Sequence, residues 1–200
     1  MLPVVVLEDA DKAVPLGEAL LSGGIDLVEI TFRTAAAAEC IRRIRAAFPE
    51  MLTGAGTILN PAQAAEAVQA GAEFMVSPGL SPELAEYSRK SGIPLIPGVA
   101  TASEIMLAQN LGLETVKFFP AEACGGTEML KSWHGPFASV KFLPTGGIKA
   151  SNMLKYLELP YVAAIGGSWM IPASALKEND YETVTALCRE AVSLRKEIRP

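Results

Sequence analysis

Short apolar runs alternate along the chain with longer stretches of helical periodicity. The runs cover residues 2–7, 27–32, 52–56, 74–77, 95–98, 116–119, 140–144 and 161–165, and begin about 21 to 25 residues apart. That spacing is the length of one strand, loop, helix and loop. Glycine stands ahead of several runs, at Gly23-Gly24, Gly71, Gly92 and Gly112, where a helix C-terminus needs a residue tolerant of left-handed dihedrals. Helix starts stand just after them. Asn60-Pro61 with Gln63, and Thr101 with Glu104, read as N-caps with capping-box partners, and Ser81-Pro82 as an N-cap followed by proline. Alternating strands and helices predict a parallel sheet with helical crossovers. Eight repeats predict an α/β fold, a (β/α)8 TIM barrel, with an open doubly wound sheet as the rival. A chain of 200 residues is short for such a barrel, so its loops must be minimal. No linker, low-complexity tract or charge block interrupts the alternation, so residues 1–200 are expected to form a single domain.

Composition narrows the function classes. Half the chain is apolar and a fifth is charged, which suits a soluble domain with a sizeable core and excludes a disordered chain. The 17 Lys+Arg against 22 Asp+Glu give a net charge of -5, without basic clusters. Nucleic acid and anionic membrane surfaces are therefore not expected as partners. The apolar runs are too short to span a bilayer, and no charged-then-apolar leader opens the sequence. Cys40, Cys124 and Cys188 form no Cys-x-x-Cys pair and fit the thiols of a reducing cytoplasm. The single histidine, His134, precedes Gly135-Pro136 at an expected helix end, where a solvated or capping side chain is the expectation. One histidine supports neither a multi-histidine zinc site nor a Ser-His-Asp triad with its Gly-x-Ser-x-Gly elbow.

Chemistry is expected at the C-terminal ends of the strands. Lys117 interrupts the apolar Val116-Lys117-Phe118-Phe119. If Val116 and Phe118 face the helices, Lys117 points into the barrel. Burial there lowers its pKa and frees the amine to attack a carbonyl and form a Schiff base. Lys141, in Val140-Lys141-Phe142, has a similar local pattern and competes for the role. Glu29 interrupts the second run and should share an inner face with Thr31, where a desolvated carboxyl can move protons. Arg33, at the exit of that strand, suits a substrate carboxylate. Thr145-Gly146-Gly147 and Gly166-Gly167-Ser168 follow the last two strands, where barrels often present backbone N–H groups to phosphate. Gly54-Ala55-Gly56-Thr57-Ile58-Leu59 begins like a dinucleotide fingerprint but has Leu59 in place of the last glycine, so a nicotinamide cofactor is not expected.

Taken together, Glu29-Ile30-Thr31-Phe32-Arg33-Thr34, Gly54-Ala55-Gly56-Thr57, Ser77-Pro78-Gly79, Lys117-Phe118-Phe119-Pro120-Ala121-Glu122, Pro144-Thr145-Gly146-Gly147-Ile148 and Gly166-Gly167-Ser168-Trp169 form a joint pattern. In this respect the chain resembles the 2-keto-3-deoxy-6-phosphogluconate aldolases, which often also cleave 4-hydroxy-2-oxoglutarate. The resemblance implies a class I, metal-free and cofactor-free aldolase, a cytoplasmic homotrimer. It would reversibly cleave the phosphorylated keto-acid to pyruvate and glyceraldehyde 3-phosphate. By resemblance Lys117 is the Schiff-base lysine and Glu29 the general acid/base. Arg33 and Thr57 hold the pyruvyl carboxylate, Thr145 lines the pocket near the imine, and Gly146, Gly147, Gly166, Gly167 and Ser168 cradle the phosphate. Family members usually carry an amphipathic helix before the first strand, which is not expected here because the sequence starts at Met1-Leu2-Pro3. Alternatives are the galactonate-epimer aldolase, a metal-dependent aldolase or barrel isomerase, and a non-catalytic or engineered oligomeric scaffold.

Overall fold

The computed structural model describes residues 1–198. Strand β1 (Leu2–Val5) leads through a 3-10 turn at Ala10–Lys12 into α1 (Ala13–Ser22). Then follow β2 (Leu27–Thr31), α2 (Ala37–Ala47), β3 (Leu52–Gly56), α3 (Pro61–Gln69), β4 (Phe74–Val76) and α4 (Pro82–Ser91). Next come β5 (Leu95–Ile96), β6 (Gly98–Val99), α5 (Ala102–Asn110), β7 (Thr115–Phe118), α6 (Gly126–His134) and β8 (Lys141–Pro144). The last elements are α7 (Met153–Leu157), β9 (Gly166–Gly167), α8 (Ala173–Glu178) and α9 (Tyr181–Lys196).

The predicted caps are in place. The side chains of Asn60, Ser81 and Thr101 accept hydrogen bonds from the N–H groups of Gln63, Leu84 and Glu104. Glu104 reaches back past the cap, its carboxylate accepting from the N–H of Ala100 at 2.8 Å. Gly24, Gly71, Gly92 and Gly112 all have positive φ.

Every strand pairing is parallel. The ladders run β5-β4-β3-β2-β1-β9 and β6-β7-β8, and together they form a curled sheet. Two expected strands differ in detail. The run at 95–98 divides at Pro97, which has no N–H to give to a ladder; its carbonyl still accepts from the N–H of Lys117 at 2.8 Å. The last strand is displaced from 161–165 to Gly166–Gly167. Val162 makes an isolated bridge to Phe142, and regular pairing with β1 begins at Leu2↔Gly166. A second bridge joins Thr145, just past β8, to Gly166.

Period-two alternation sorts the strand residues onto two faces. Val28, Ile30, Ala55, Met75, Val116, Phe118 and Phe142 pack with the helices in the larger buried cluster. Leu2, Phe74, Val76 and Leu143 form a separate inner cluster, with Leu27, Ile96 and Ala164 packed against it. Fully burying one such side chain is worth roughly 1.5–3 kcal/mol, which locks the register of each strand.

His134 closes α6, but it is packed and not freely solvated. Its ring stacks on Tyr161 with centroids 4.0 Å apart and planes 15° from parallel. Cys40 and Cys188 are buried and Cys124 is half-buried; burial pushes the first two thiols up to about 11. Among the described residues no helix is long and apolar enough to cross a membrane.

Candidate active site

Glu29 on β2 and Lys117 on β7 come from different ladders, so only the curl of the sheet brings them together. Lys117 Nζ lies 3.6 Å from Glu29 Oε1, in ion-pair contact but too long for a hydrogen bond. Both residues are buried, with relative exposures of 5% and 0%. Alternation places them: Val116 and Phe118 enter the helix-side cluster, and Lys117 between them turns inward. Lys141, by contrast, is exposed at the start of β8.

Neither oxygen of the Glu29 carboxylate accepts a hydrogen bond among the described residues. Burial raises the pKa of Glu29, opposed by the nearby charges of Lys117 and Arg33. Burial likewise lowers the pKa of Lys117; Glu29 resists that shift and Arg33 adds to it. Desolvation thus drives both members toward their neutral forms. The Lys117 amine also sits 5.1 Å from the ring centroid of Phe119. Together Lys117 and Glu29 place a buried amine beside a proton-accepting carboxyl.

Arg33 and Thr57 leave adjacent strands. Thr31 pairs with Gly56, and the N–H of Phe32 donates to the Gly56 carbonyl at 2.7 Å. Arg33 is exposed and Thr57 half-buried. Thr57 has φ +57°, the left-handed region that a β-branched residue rarely occupies. Such strain costs of order 1–3 kcal/mol and concentrates at functional sites. Thr31, expected on the inner face, is fully buried, and its hydroxyl donates to the Val5 carbonyl at 2.8 Å.

Beyond the pair, a cavity of about 410 Å³ opens over the ends of β1, β8 and β9. Arg33, Phe119, Thr145, Gly146, Gly147, Gly167 and Ser168 line it. Gly146 and Gly147 both have positive φ, +98° and +81°, conformations that glycine adopts without steric cost. Six of the residues singled out from sequence thus share one cavity, and Lys117 and Glu29 form a second group, with Phe119 touching both. Gly166 and Thr57 line neither. Gly166 is buried under Thr145, where a Cβ would stand 2.4 Å from the threonine Oγ1. Phe119 was not identified from sequence as a site residue, because within an apolar run its ring has the appearance of core. No group of three or more His, Cys, Asp or Glu side chains converges as a metal site among the described residues.

The family model described as KDPG and KHG aldolase matches residues 1–187. The KHG/KDPG aldolase of Escherichia coli (strain K12) is 49% identical over 192 residues, covering 96% of this chain and 90% of that protein. The 2-dehydro-3-deoxy-phosphogluconate aldolase of Dickeya dadantii is 48% identical over 193 residues, 96% and 91% of the two chains. Among solved structures, the KDPG aldolase of Legionella pneumophila superposes with a TM-score of 0.93 at 46% identity, covering 95% of this chain and 92% of that one. That crystal holds pyruvate captured at low pH as a covalent carbinolamine intermediate.

Proposed function

Because the chain belongs to the KDPG and KHG aldolase family, we propose that it is a Schiff-base aldolase. It reversibly cleaves 2-dehydro-3-deoxy-6-phosphogluconate to pyruvate and glyceraldehyde 3-phosphate. It also cleaves 4-hydroxy-2-oxoglutarate to pyruvate and glyoxylate. The observation that carries this reading is the buried Lys117–Glu29 ion pair, 3.6 Å apart, with neither carboxylate oxygen hydrogen-bonded among the described residues.

Arg33 and Thr57 orient the substrate carboxylate. Neutral Lys117 adds to the C2 ketone, and the carbinolamine takes up a proton from solvent at its hydroxyl and loses water, leaving a protonated imine. Glu29 takes the proton of the C4 hydroxyl as the C3–C4 bond breaks. The bond electrons flow into the imine, giving an enamine and releasing the aldehyde. Glu29 then returns a proton to C3, and water frees pyruvate from Lys117. Thr145 lines the wall near the imine. Gly146, Gly147, Gly167 and Ser168 offer the phosphate cradle, and Gly166 leaves room for Thr145 beneath it. Holding the distant phosphate fixes the register of the bond to be broken. The residues that do this work require no metal or organic cofactor.

The proposal extends to architecture. Residues 1–200 form a single domain, and the two ladders are parts of one closed (β/α)8 barrel. The bridges Phe142↔Val162 and Thr145↔Gly166, together with the β9–β1 pairing, support closure on one side, and Pro97 accounts for the break on the other. The family resemblance supports a cytoplasmic homotrimer acting on small keto-acids.

The direct test is reduction with borohydride in the presence of pyruvate, followed by peptide mass analysis. A reduced pyruvyl mass on Lys117 is expected. An unmodified Lys117, or label on Lys141, overturns the assignment.

A further inference from the structure

Next to the Gly146–Gly147 turn is a polar cluster that the cleavage chemistry does not use. Glu122, on the loop after β7, accepts a hydrogen bond from the hydroxyl of Tyr156 on α7, and Lys155 Nζ lies 3.3 Å from the same carboxylate oxygen in ion-pair contact. Its side chain lies flat on the turn: a Cβ at Gly147 would stand 2.7 Å from both Cβ and Cγ of Glu122. Tyr156 is fully buried, and its hydroxyl also passes within 3.1 Å of where a Cβ on Gly126 would stand. The Tyr156 ring is therefore held by packing, and its hydroxyl is a fixed donor.

The backbone around Glu122 completes the arrangement. The N–H of Ala121 donates to the Thr145 carbonyl at 2.8 Å, and the N–H of Glu122 to the Gly146 carbonyl at 3.1 Å. The side-chain amide of Asn152 donates to the Gly147 carbonyl at 2.9 Å, while its oxygen accepts from the N–H of Lys149 at 2.8 Å. Three successive carbonyls, at 145, 146 and 147, are thus engaged from outside the cavity. A peptide unit whose carbonyl is held on one side has its N–H direction set as well. The N–H groups of Gly146 and Gly147 donate to no acceptor within the described residues, and both residues line the 410 Å³ cavity.

We propose that Glu122, clamped by Tyr156, is a positioning residue that holds the Gly146–Gly147 amides in register for the substrate phosphate, and so sets preference for phosphorylated over unphosphorylated aldehydes. This rests on the aldolase reading above and adds a specificity device outside the cavity wall. Glu122 touches no reacting atom; it acts through the turn. Hydrogen bonding from Tyr156, with Lys155 beside it, lowers the pKa of the Glu122 carboxyl, so the clamp keeps its charge through neutral pH.

The experiment compares condensation of pyruvate with glyceraldehyde 3-phosphate and with glyceraldehyde, which differ only in the phosphate. Tyr156→Phe keeps the ring and removes the donor. The KM for glyceraldehyde 3-phosphate should rise about fivefold, the order set by one lost hydrogen bond, with inhibition by inorganic phosphate weakened in parallel. The rate with glyceraldehyde, and borohydride trapping of pyruvate on Lys117, should stay within about twofold. Glu122→Ala should reproduce the effect, and Glu122→Gln, which keeps an acceptor for the hydroxyl, should largely restore it. Equal changes for both aldehydes, or unchanged phosphate inhibition in Tyr156→Phe, overturn the proposal and leave a purely structural role. Wild-type protein that neither condenses pyruvate with either aldehyde nor traps it on Lys117 overturns the aldolase reading instead.

Discussion

Gly56 makes the space that Glu29 occupies. A Cβ at position 56 would stand 2.0 Å from Glu29 Oε1 and 2.6 Å from its carboxyl carbon, closer than atoms can approach. The carboxyl lies against a neighbouring strand that carries no side chain at that point, and from there it reaches 3.6 Å from Lys117 Nζ. Gly56→Ala is therefore expected to displace the carboxyl while leaving the ladder intact. Pyruvate release should fall by about 10²-fold or more, the order assigned to a misplaced acid/base group. A coupled pyruvate assay beside a thermal melt checks this. Near-normal turnover in a folded variant would show that Glu29 does not depend on the gap.

The amine and the carboxyl should be separable by substitution. Lys117→Ala should lose both turnover and borohydride-trapped pyruvate. Glu29→Gln should keep trapping but lose roughly 10²–10⁴-fold in kcat, since it retains the shape and removes the base. Single-turnover trapping and steady-state rates distinguish the two. Loss of trapping in both variants would mean that Glu29 is needed to form the imine, not only to break the carbon–carbon bond.

The pH profile carries a sign. Only the neutral amine adds to a ketone, so the trapping rate should rise with pH and level off above the pKa of Lys117, which burial holds below the ordinary 10.5. Glu29 favours the charged lysine and opposes that shift. Removing its charge in Glu29→Gln should move the rising limb to lower pH. A limb that stays in place, or moves upward, would show that the two groups are not coupled.

Thr57 combines strain with a proposed contact. At φ +57° a glycine would relieve part of the strain, of order 1 kcal/mol. Thr57→Gly should therefore melt no lower than the natural protein, while the KM for pyruvate in condensation rises several-fold. A lower melting temperature with unchanged KM would assign the conformation to folding alone.

A chelator control bears on the absence of a metal from the proposed chemistry. Dialysis against EDTA should leave pyruvate release unchanged, because in the proposed mechanism the protonated imine on Lys117 is the electron sink that a metal would otherwise provide. Loss of activity restored by a divalent cation would require a different mechanism.

Local physics made much of the fold legible. Asn60, Ser81 and Thr101 cap helices because a short polar side chain meets an orphan N–H two or three residues on, which needs no knowledge of distant chain. Strand boundaries were less legible where a single residue intervenes. Pro97 splits its strand by lacking a donor, and the last ladder begins at Gly166, past the apolar run that announced it. Phe119 was hidden by its neighbours: in an apolar run an aromatic ring reads as core until the structure sets it 5.1 Å from an amine.

The site divides along the same line. Periodicity alone turns Lys117 away from Val116 and Phe118, and places Glu29 with Thr31, because side chains alternate on any strand. Lys141 has the same alternation, and nothing within a few residues distinguishes it from Lys117. The distinction appears only when the sheet curls, leaving Lys141 in solvent at a strand entrance and bringing Lys117 across to a carboxyl from another ladder. Dihedral preferences and alternation act over a few neighbouring residues and can be read in order along the chain. Desolvation and the meeting of residues 29 and 117 depend on packing between segments far apart in sequence, so they exist only in the folded molecule.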